Sequence, residues 1–210
     1  MRAGTTEQGG GMHASGIYAM GALARSIVVL VLFQAALWLV FGVTYLLSRD
    51  SWSIADELRQ VTPAGGSVLG TFLTIVGINS ILFLIIIAAN LFVRFGPITL
   101  GPIILLLQAV TIGRVAGTNA FQFPFASVQE ANIQYLKVGL WETTAYALIC
   151  AVTMTKSLYI ADSFPAKKWV EVRRLRDLRF STEEKSLVLV SVLMLIASGF
   201  IEAYLIHSVG

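Results

Sequence analysis

Five long apolar stretches constrain this chain more than any other feature of its sequence. They cover approximately residues 27–47, 68–93, 98–115, 138–161 and 187–207. A helix needs about 20 mainly apolar residues to cross a bilayer, where lipid offers no partner for a free backbone group. Hydrophobic residues make up 56% of the 210 residues and charged residues only 13%, which excludes a soluble globule or a disordered chain. The sequence therefore predicts an all-α bundle of five transmembrane helices, forming a single membrane domain over residues 1–210.

The basic residues between these stretches predict the orientation of the bundle. If the N-terminus is cytoplasmic, eleven Lys and Arg residues lie on the cytoplasmic side and four on the other side. Cytoplasmic loops carry the excess of basic residues in membrane proteins, so the bias favours a cytoplasmic N-terminus and an external C-terminus. The Gly-rich segment 1–24 is then cytoplasmic, and the expected location is the cytoplasmic membrane of a prokaryote.

Segment 163–185, before the fifth stretch, is the most distinctive polar part of the chain. Apolar residues recur there at roughly helical spacing, from Trp169 to Leu178. The basic residues between them are Lys167, Lys168, Arg173, Arg174, Arg176 and Arg179. This pattern predicts a basic amphipathic helix on the inner leaflet, followed by a capping box, Ser181-Thr-Glu-Glu184. The segment is either a connector that sets the topology or a docking site for a partner protein or anionic lipid.

Three ionisable residues fall at similar depth in the outer half of the predicted bundle: Arg114, Glu142 and Glu202. A charge in lipid is costly, so each is expected to have a partner or a function. An arginine can donate two parallel hydrogen bonds to a carboxylate, which predicts that Arg114 neutralises one or both glutamates. The roles left open are a clamp between helices, extension of each side chain to the outer interface, a proton or ion pathway, and a substrate-binding site.

Other polar side chains lie inside the predicted spans, where hydrogen bonds between helices are their expected role. They are Gln34, Asn79, Asn90, Gln108, Tyr146 and Ser198. Asn79 and Asn90 are eleven residues apart, about three helical turns, and therefore share one face of the second span.

The sequence contains no recognisable catalytic or metal-binding pattern. His13 and His207 do not form a metal-ligand pair, and the single cysteine, Cys150, has no CxxC partner. We therefore expect no enzyme activity, no metal site and no cofactor other than bound lipid, although a pigment held by a glutamine or a backbone carbonyl stays open. The expected partners are other integral membrane proteins and anionic lipids, and no nucleic acid.

Two sequence patterns resemble the stage II sporulation protein M family of bacterial and archaeal membrane proteins, over about residues 70–207. The first runs from Ala89 to Gly101 with the sequence ANLFVRFGPITLG, and the second is the GLWE sequence of residues 139–142. The family typically has paired asparagines in the first pattern, where this chain has Asn90 alone, and a histidine where this chain has Val138. The resemblance implies a non-enzymatic membrane component, in which Asn90, Gly139 and Glu142 are structural determinants.

Taken together, these features predict a non-catalytic subunit or scaffold of a larger membrane assembly. One alternative is a small transporter or channel component that uses the polar faces of spans two, four and five. Another is a lipid- or pigment-binding accessory subunit of an energy-converting complex.

Overall fold

The structure, a computed structural model, consists mainly of long helices. It describes residues 16–53, 66–121, 124–161, 164–165 and 167–208. The described α-helices of seven residues or more are, in chain order, α1 (Ala22–Leu47), α2 (Val68–Phe92), α3 (Leu100–Gly117), α4 (Val128–Gln134), α5 (Leu140–Thr153) and α6 (Thr182–Ser208), and a single helical turn, Asp50–Ser53, follows α1. Within the described part of the chain, α1, α2, α3 and α6 are long and apolar enough to cross a membrane, which confirms the predicted helical membrane character. Residues 1–15 of the Gly-rich segment, including His13, lie outside the described residues.

The fourth predicted stretch folds differently from the other four. Helices α4 and α5 are joined through a π-helical turn, Tyr135–Gly139, so that residues 128–153 form one helical run. The run ends at Thr153, and the predicted span 138–161 is therefore wrong at both ends. Its last residues, Tyr159–Ala161, form a β-strand instead.

Helix α5 forms the centre of the bundle, since it packs against α1, α2 and α6. All its residues from Ala145 to Val152 are buried. Protein surrounds α5 on every side there, which explains why a less apolar sequence than those of α1 and α2 is accommodated at this position.

Helices α1 and α3 approach closely because small residues line their contact. Ala109, Gly113 and Gly117 recur every four residues on the buried face of α3. A Cβ atom on Gly113 would lie 2.6 Å from the backbone oxygen of Leu37 in α1. The contact therefore depends on glycine at this position.

A four-stranded sheet caps one end of the bundle, which we call the sheet end; the opposite end is the far end. The strands are β1 (Val93–Phe95), β2 (Ile98–Thr99), β3 (Tyr159–Ala161) and β4 (Val170–Glu171), in the order β2-β1-β3-β4. Strands β1 and β3 are parallel, with Val93 opposite Tyr159. The other two pairs are antiparallel, and β1 turns into β2 at Gly96, whose φ of 53° suits glycine. The fold is thus all-α except for this small sheet.

The predicted amphipathic helix over 163–185 is wrong. The described residues there form β4, one 3₁₀ turn at Leu175–Asp177 and irregular backbone, and α6 begins only at Thr182. Pairing of Val170 with Ile160 in β3 satisfies backbone groups that a helix would otherwise satisfy internally. The rings of Phe92 and Trp169, 5.2 Å apart, fasten the segment to the end of α2.

Candidate functional site

Two half-buried carboxylates lie near each other in the bundle, toward its far end. Glu142 lies in the first turn of α5, and its Oε1 accepts a hydrogen bond of 2.9 Å from the hydroxyl of Tyr146, one turn later. Glu202 of α6 lies close enough for the two charges to interact, and the Asn79 amide of α2 lies within reach of the Glu142 carboxylate. We call Glu142 and Glu202 the carboxylate pair. Polar residues of three helices, predicted separately, therefore converge on one place.

A cleft of about 410 Å³ opens at the far end between α2 and α6. Its lining residues are Gly66, Ser67, Gly70, Thr71, Thr74, Ile75 and Ile206. Ile206 follows Glu202 by one helical turn, and on the other side of Glu202 a Cβ on Gly199 would lie 2.6 Å from a methyl carbon of Val76. Glu202 therefore lies along α6 between a residue that lines the cleft and a close contact of α6 with α2.

The predicted neutralisation by Arg114 is not found. Arg114 is exposed in the last turn of α3, and no ion pair between described residues includes it, Glu142 or Glu202. The reason is the orientation of α3, whose Gly113 and Gly117 face α1 and so direct Arg114 outward. The carboxylate pair thus has a tyrosine and an amide as neighbours, but no described cationic side chain in ion-pair contact.

Gln34 joins α1 to the helical run of residues 128–153. It accepts a 2.7 Å hydrogen bond from the hydroxyl of Tyr135 and donates one of 3.2 Å to Thr143. Ser198 and Gln108, which were also predicted to bond between helices, have no hydrogen bond to another helix among the described residues. Ser198 donates to Leu195 in its own helix, and Gln108 is half-buried with no hydrogen bond to another described side chain or backbone group.

Asn90 is fully buried near the sheet end, and its side chain ties three helical segments together. Its Nδ2 donates to the backbone oxygen of Cys150 at 3.0 Å and to Thr153 Oγ1 at 2.9 Å. Its Oδ1 accepts from Thr99 Oγ1 at 2.7 Å and from the Gly101 backbone N–H at 3.1 Å. A side chain on Gly101 would overlap the Asn90 amide, so the position of the Asn90 side chain requires glycine at residue 101.

A buried ion cluster at the sheet end was not anticipated from the sequence. Glu184 Oε2 lies 2.8 Å from Lys156 Nζ, and its Oε1 lies 3.8 Å from Arg25. Arg25 also donates a 2.6 Å hydrogen bond to the backbone oxygen of Ala151. The capping box at Ser181 and Glu184, which the sequence did predict, forms as expected. Arg25 lies one turn inside the apolar helix α1, and a charged residue at such a position is the sequence signal that could have predicted the cluster.

Most of the predicted basic residues lie on the surface of the sheet end. Those exposed are Lys167, Lys168, Arg174, Arg176 and Arg179, whereas Arg173 is half-buried. Arg174 pairs with Glu171 at 3.5 Å and Arg176 with Asp177 at 3.9 Å, both on the surface. Such pairs contribute little to stability, so the patch is best considered as a surface for contact.

The described residues contain no group of three or more His, Cys, Asp or Glu side chains that could hold a metal ion. Cys150 is buried beside Asn90. Comparisons with protein-family models, with curated proteins and with solved structures give no significant match. The carboxylate pair is therefore the candidate site on its geometry alone.

Proposed function

We propose that the protein is a five-span membrane protein that carries a small monovalent cation, as a component of a transport system. Its N-terminus and sheet end face the cytoplasm, and the membrane is the cytoplasmic membrane of a prokaryote. The single observation that carries the proposal is the carboxylate pair, two acidic side chains near each other in the helical bundle with no described cationic side chain in ion-pair contact.

The five-span count is supported by the way in which the helices alternate in direction. The backbone N–H of Leu23, near the start of α1, donates to Glu183 at the start of α6. At the far end, Thr71 near the start of α2 contacts His207 near the end of α6. The helical run of residues 128–153 would be about 39 Å long at the usual rise, which is enough to cross. Its π-helical turn divides it into α4 and α5, and each of these helices alone is too short to cross a membrane.

The chemistry of the pair favours a proton or a sodium ion. Two carboxylates, a tyrosine hydroxyl and an amide supply oxygen atoms, which suit hard cations. Two negative charges close together in a medium of low dielectric repel strongly, so binding one positive charge stabilises the arrangement. Acidic residues within the membrane-spanning part of a protein commonly mark such pathways.

Carbodiimide labelling tests whether the site binds a cation. A hydrophobic carbodiimide reacts with protonated carboxyl groups, and peptide mass spectrometry locates the product. We expect labelling of Glu142 or Glu202 near neutral pH, and none of Glu184, which is ion-paired with Lys156 and serves as the internal control. Protection by sodium would indicate a sodium site, and labelling indifferent to sodium a proton site. Labelling of Glu184 to the same extent, or of none of the three, contradicts the proposal.

Flux measurements test transport itself. Purified protein in vesicles should dissipate an imposed proton or sodium gradient, and Glu142→Gln and Glu202→Gln should each abolish this flux because amides cannot bind the ion in exchange. Arg114→Gln is the matched control, since Arg114 is an exposed charge away from the pair. Equal flux from all variants, or from empty vesicles, contradicts transport.

A non-catalytic scaffold is the second candidate, and Asn90 favours it. The resemblance to the stage II sporulation protein M family rests partly on the Asn90 to Gly101 sequence, and here both residues take part in hydrogen bonds that join segments of the chain. Purification in mild detergent, with mass spectrometry of co-purifying proteins and an absorbance scan for pigment, tests this role. Stoichiometric partners would support it, and a lone, colourless protein would contradict it.

A further inference from the structure

The described residues 167–179, which we call the platform, form an exposed basic surface pinned to the sheet end. They contain six basic residues and two acidic ones, Glu171 and Asp177. The acidic residues pair with Arg174 and Arg176, respectively. That leaves Lys167, Lys168 and Arg179 exposed, with side chains in no ion pair between described residues. The platform thus has a net positive charge that the chain itself does not neutralise.

The platform lies at the level where a candidate span ends. Phe92 is the last residue of α2, and β1 follows it directly. The ring of Trp169 packs edge-on against Phe92, with centroids 5.2 Å apart, and β4 pairs with β3 beside it. Because these contacts fix the platform to the helix end, it lies at the boundary of the membrane and not in free solvent.

Apolar side chains are exposed on the platform among the basic ones. Trp169 is 49% exposed, Val170 59% and Leu175 65%. Tryptophan is typical of the headgroup region, and basic residues beside exposed apolar ones favour an anionic lipid surface. An acidic protein segment would match the charge but would leave the level of the platform and its exposed apolar residues unexplained.

We propose that the platform binds the headgroups of anionic phospholipids and thereby concentrates them around the sheet end. The charge left by Lys167, Lys168 and Arg179 provides the attraction, and Trp169 and Leu175 enter the boundary region beside the headgroups. An effect of about 1 kcal/mol for a basic residue near an anionic surface corresponds to about a fivefold local enrichment. The inference is independent of cation transport.

Quenching by brominated lipids tests the proposal. A fluorophore is attached to Val172→Cys on the platform, since the native Cys150 is buried and does not compete for the label. The protein is reconstituted in mixed phosphatidylcholine and phosphatidylglycerol, with bromine on one lipid or the other. We expect brominated phosphatidylglycerol to quench several-fold more than brominated phosphatidylcholine at equal mole fraction, and added salt to reduce the difference.

Two controls separate charge recognition from simple proximity to lipid. Replacement of Lys167, Lys168 and Arg179 by glutamine should bring the quenching ratio to unity, and unchanged thermal unfolding would show that the fold survives. A label at Ala126→Cys, exposed at the far end, should show no preference. A ratio of unity in the parent protein, or a ratio in the triple variant equal to that of the parent, would overturn the proposal.

Discussion

Two acidic side chains of this protein, the buried Glu184 and the half-buried Glu142, illustrate opposite ways in which a bundle accommodates a glutamate. Glu184 lies between Lys156 and Arg25 and also caps the start of α6, so its charge is neutralised where it stands. Glu142 has only a tyrosine donor and an amide beside it, with another glutamate nearby. The first arrangement is typical of structural ion pairs, and the second is typical of a site that takes up an ion.

The amide of Asn90 gives the sharpest prediction at the scale of one residue. Asn90→Ala should lower the free energy of unfolding by about 2 kcal/mol or more, because Thr99 Oγ1 and the Gly101 N–H lose their buried acceptor. Titration with denaturing detergent in mixed micelles, followed by circular dichroism, measures the change.

Gln108→Ala is the matched control for Asn90→Ala. Gln108 is an amide in the adjacent helix α3, but it is half-buried and bonds to no described group, so its loss should change stability little. Equal destabilisation by both substitutions would show that removing any amide from this region has the same effect. The hydrogen bonds of Asn90 would then not be the cause of the change in stability.

Sequence reasoning located polar residues well and their partners poorly. A lone asparagine or glutamate in an apolar run is visible at once, which is why Asn79, Asn90 and Glu142 could be selected. The failed pairing of Arg114 depended on how α3 is rotated against α1, and that rotation is set by the close contact at Gly113. Helix rotation depends on complementary shapes in two separate parts of the chain, which one segment alone does not reveal.

At the scale of elements, the long helices were predictable and the sheet was not. Length and hydropathy are enough to find α1, α2, α3 and α6. Strands β1 to β4 have only two or three residues each, which is too few to show the alternation of apolar and polar residues that predicts a strand. Strand β1 pairs with β3, which follows more than sixty residues later, and β3 in turn pairs with β4, which lies where the helix over 163–185 was expected.

The contact of α1 with α3 predicts opposite results for two glycine substitutions. Gly113→Ala should destabilise the protein by about 1–3 kcal/mol, because the new methyl group would lie 2.6 Å from the Leu37 backbone oxygen and push the helices apart. Gly77→Ala, in α2, introduces a methyl group with no atom within 4 Å. It should leave stability unchanged or raise it by up to about 1 kcal/mol, since alanine favours helix.

Thermal unfolding of both variants in the same detergent distinguishes packing from propensity. A lower midpoint for Gly113→Ala together with an unchanged or higher midpoint for Gly77→Ala is the expected pair of results. If both substitutions raise the midpoint, helix propensity outweighs packing, and the close approach of α1 and α3 in the structure is wrong.

At the scale of the whole molecule, the two ends of the bundle differ in chemistry. The sheet end combines the ion cluster, the sheet and the platform, whereas the far end has the cleft and lies nearer the carboxylate pair. In the proposed topology, the basic sheet end faces the cytoplasm and the cleft faces outward.

The number of spans and their orientation can be tested together with two introduced cysteines. Ala126→Cys precedes α4 at the far end, and Lys168→Cys lies on the platform; both positions are exposed. A membrane-impermeant maleimide applied to intact cells should label Ala126→Cys and should label Lys168→Cys only after permeabilisation. The parent protein is the background control, because Cys150 is buried. Equal labelling of both positions from one side would mean that residues 128–153 do not cross, and the opposite pattern would place the N-terminus outside.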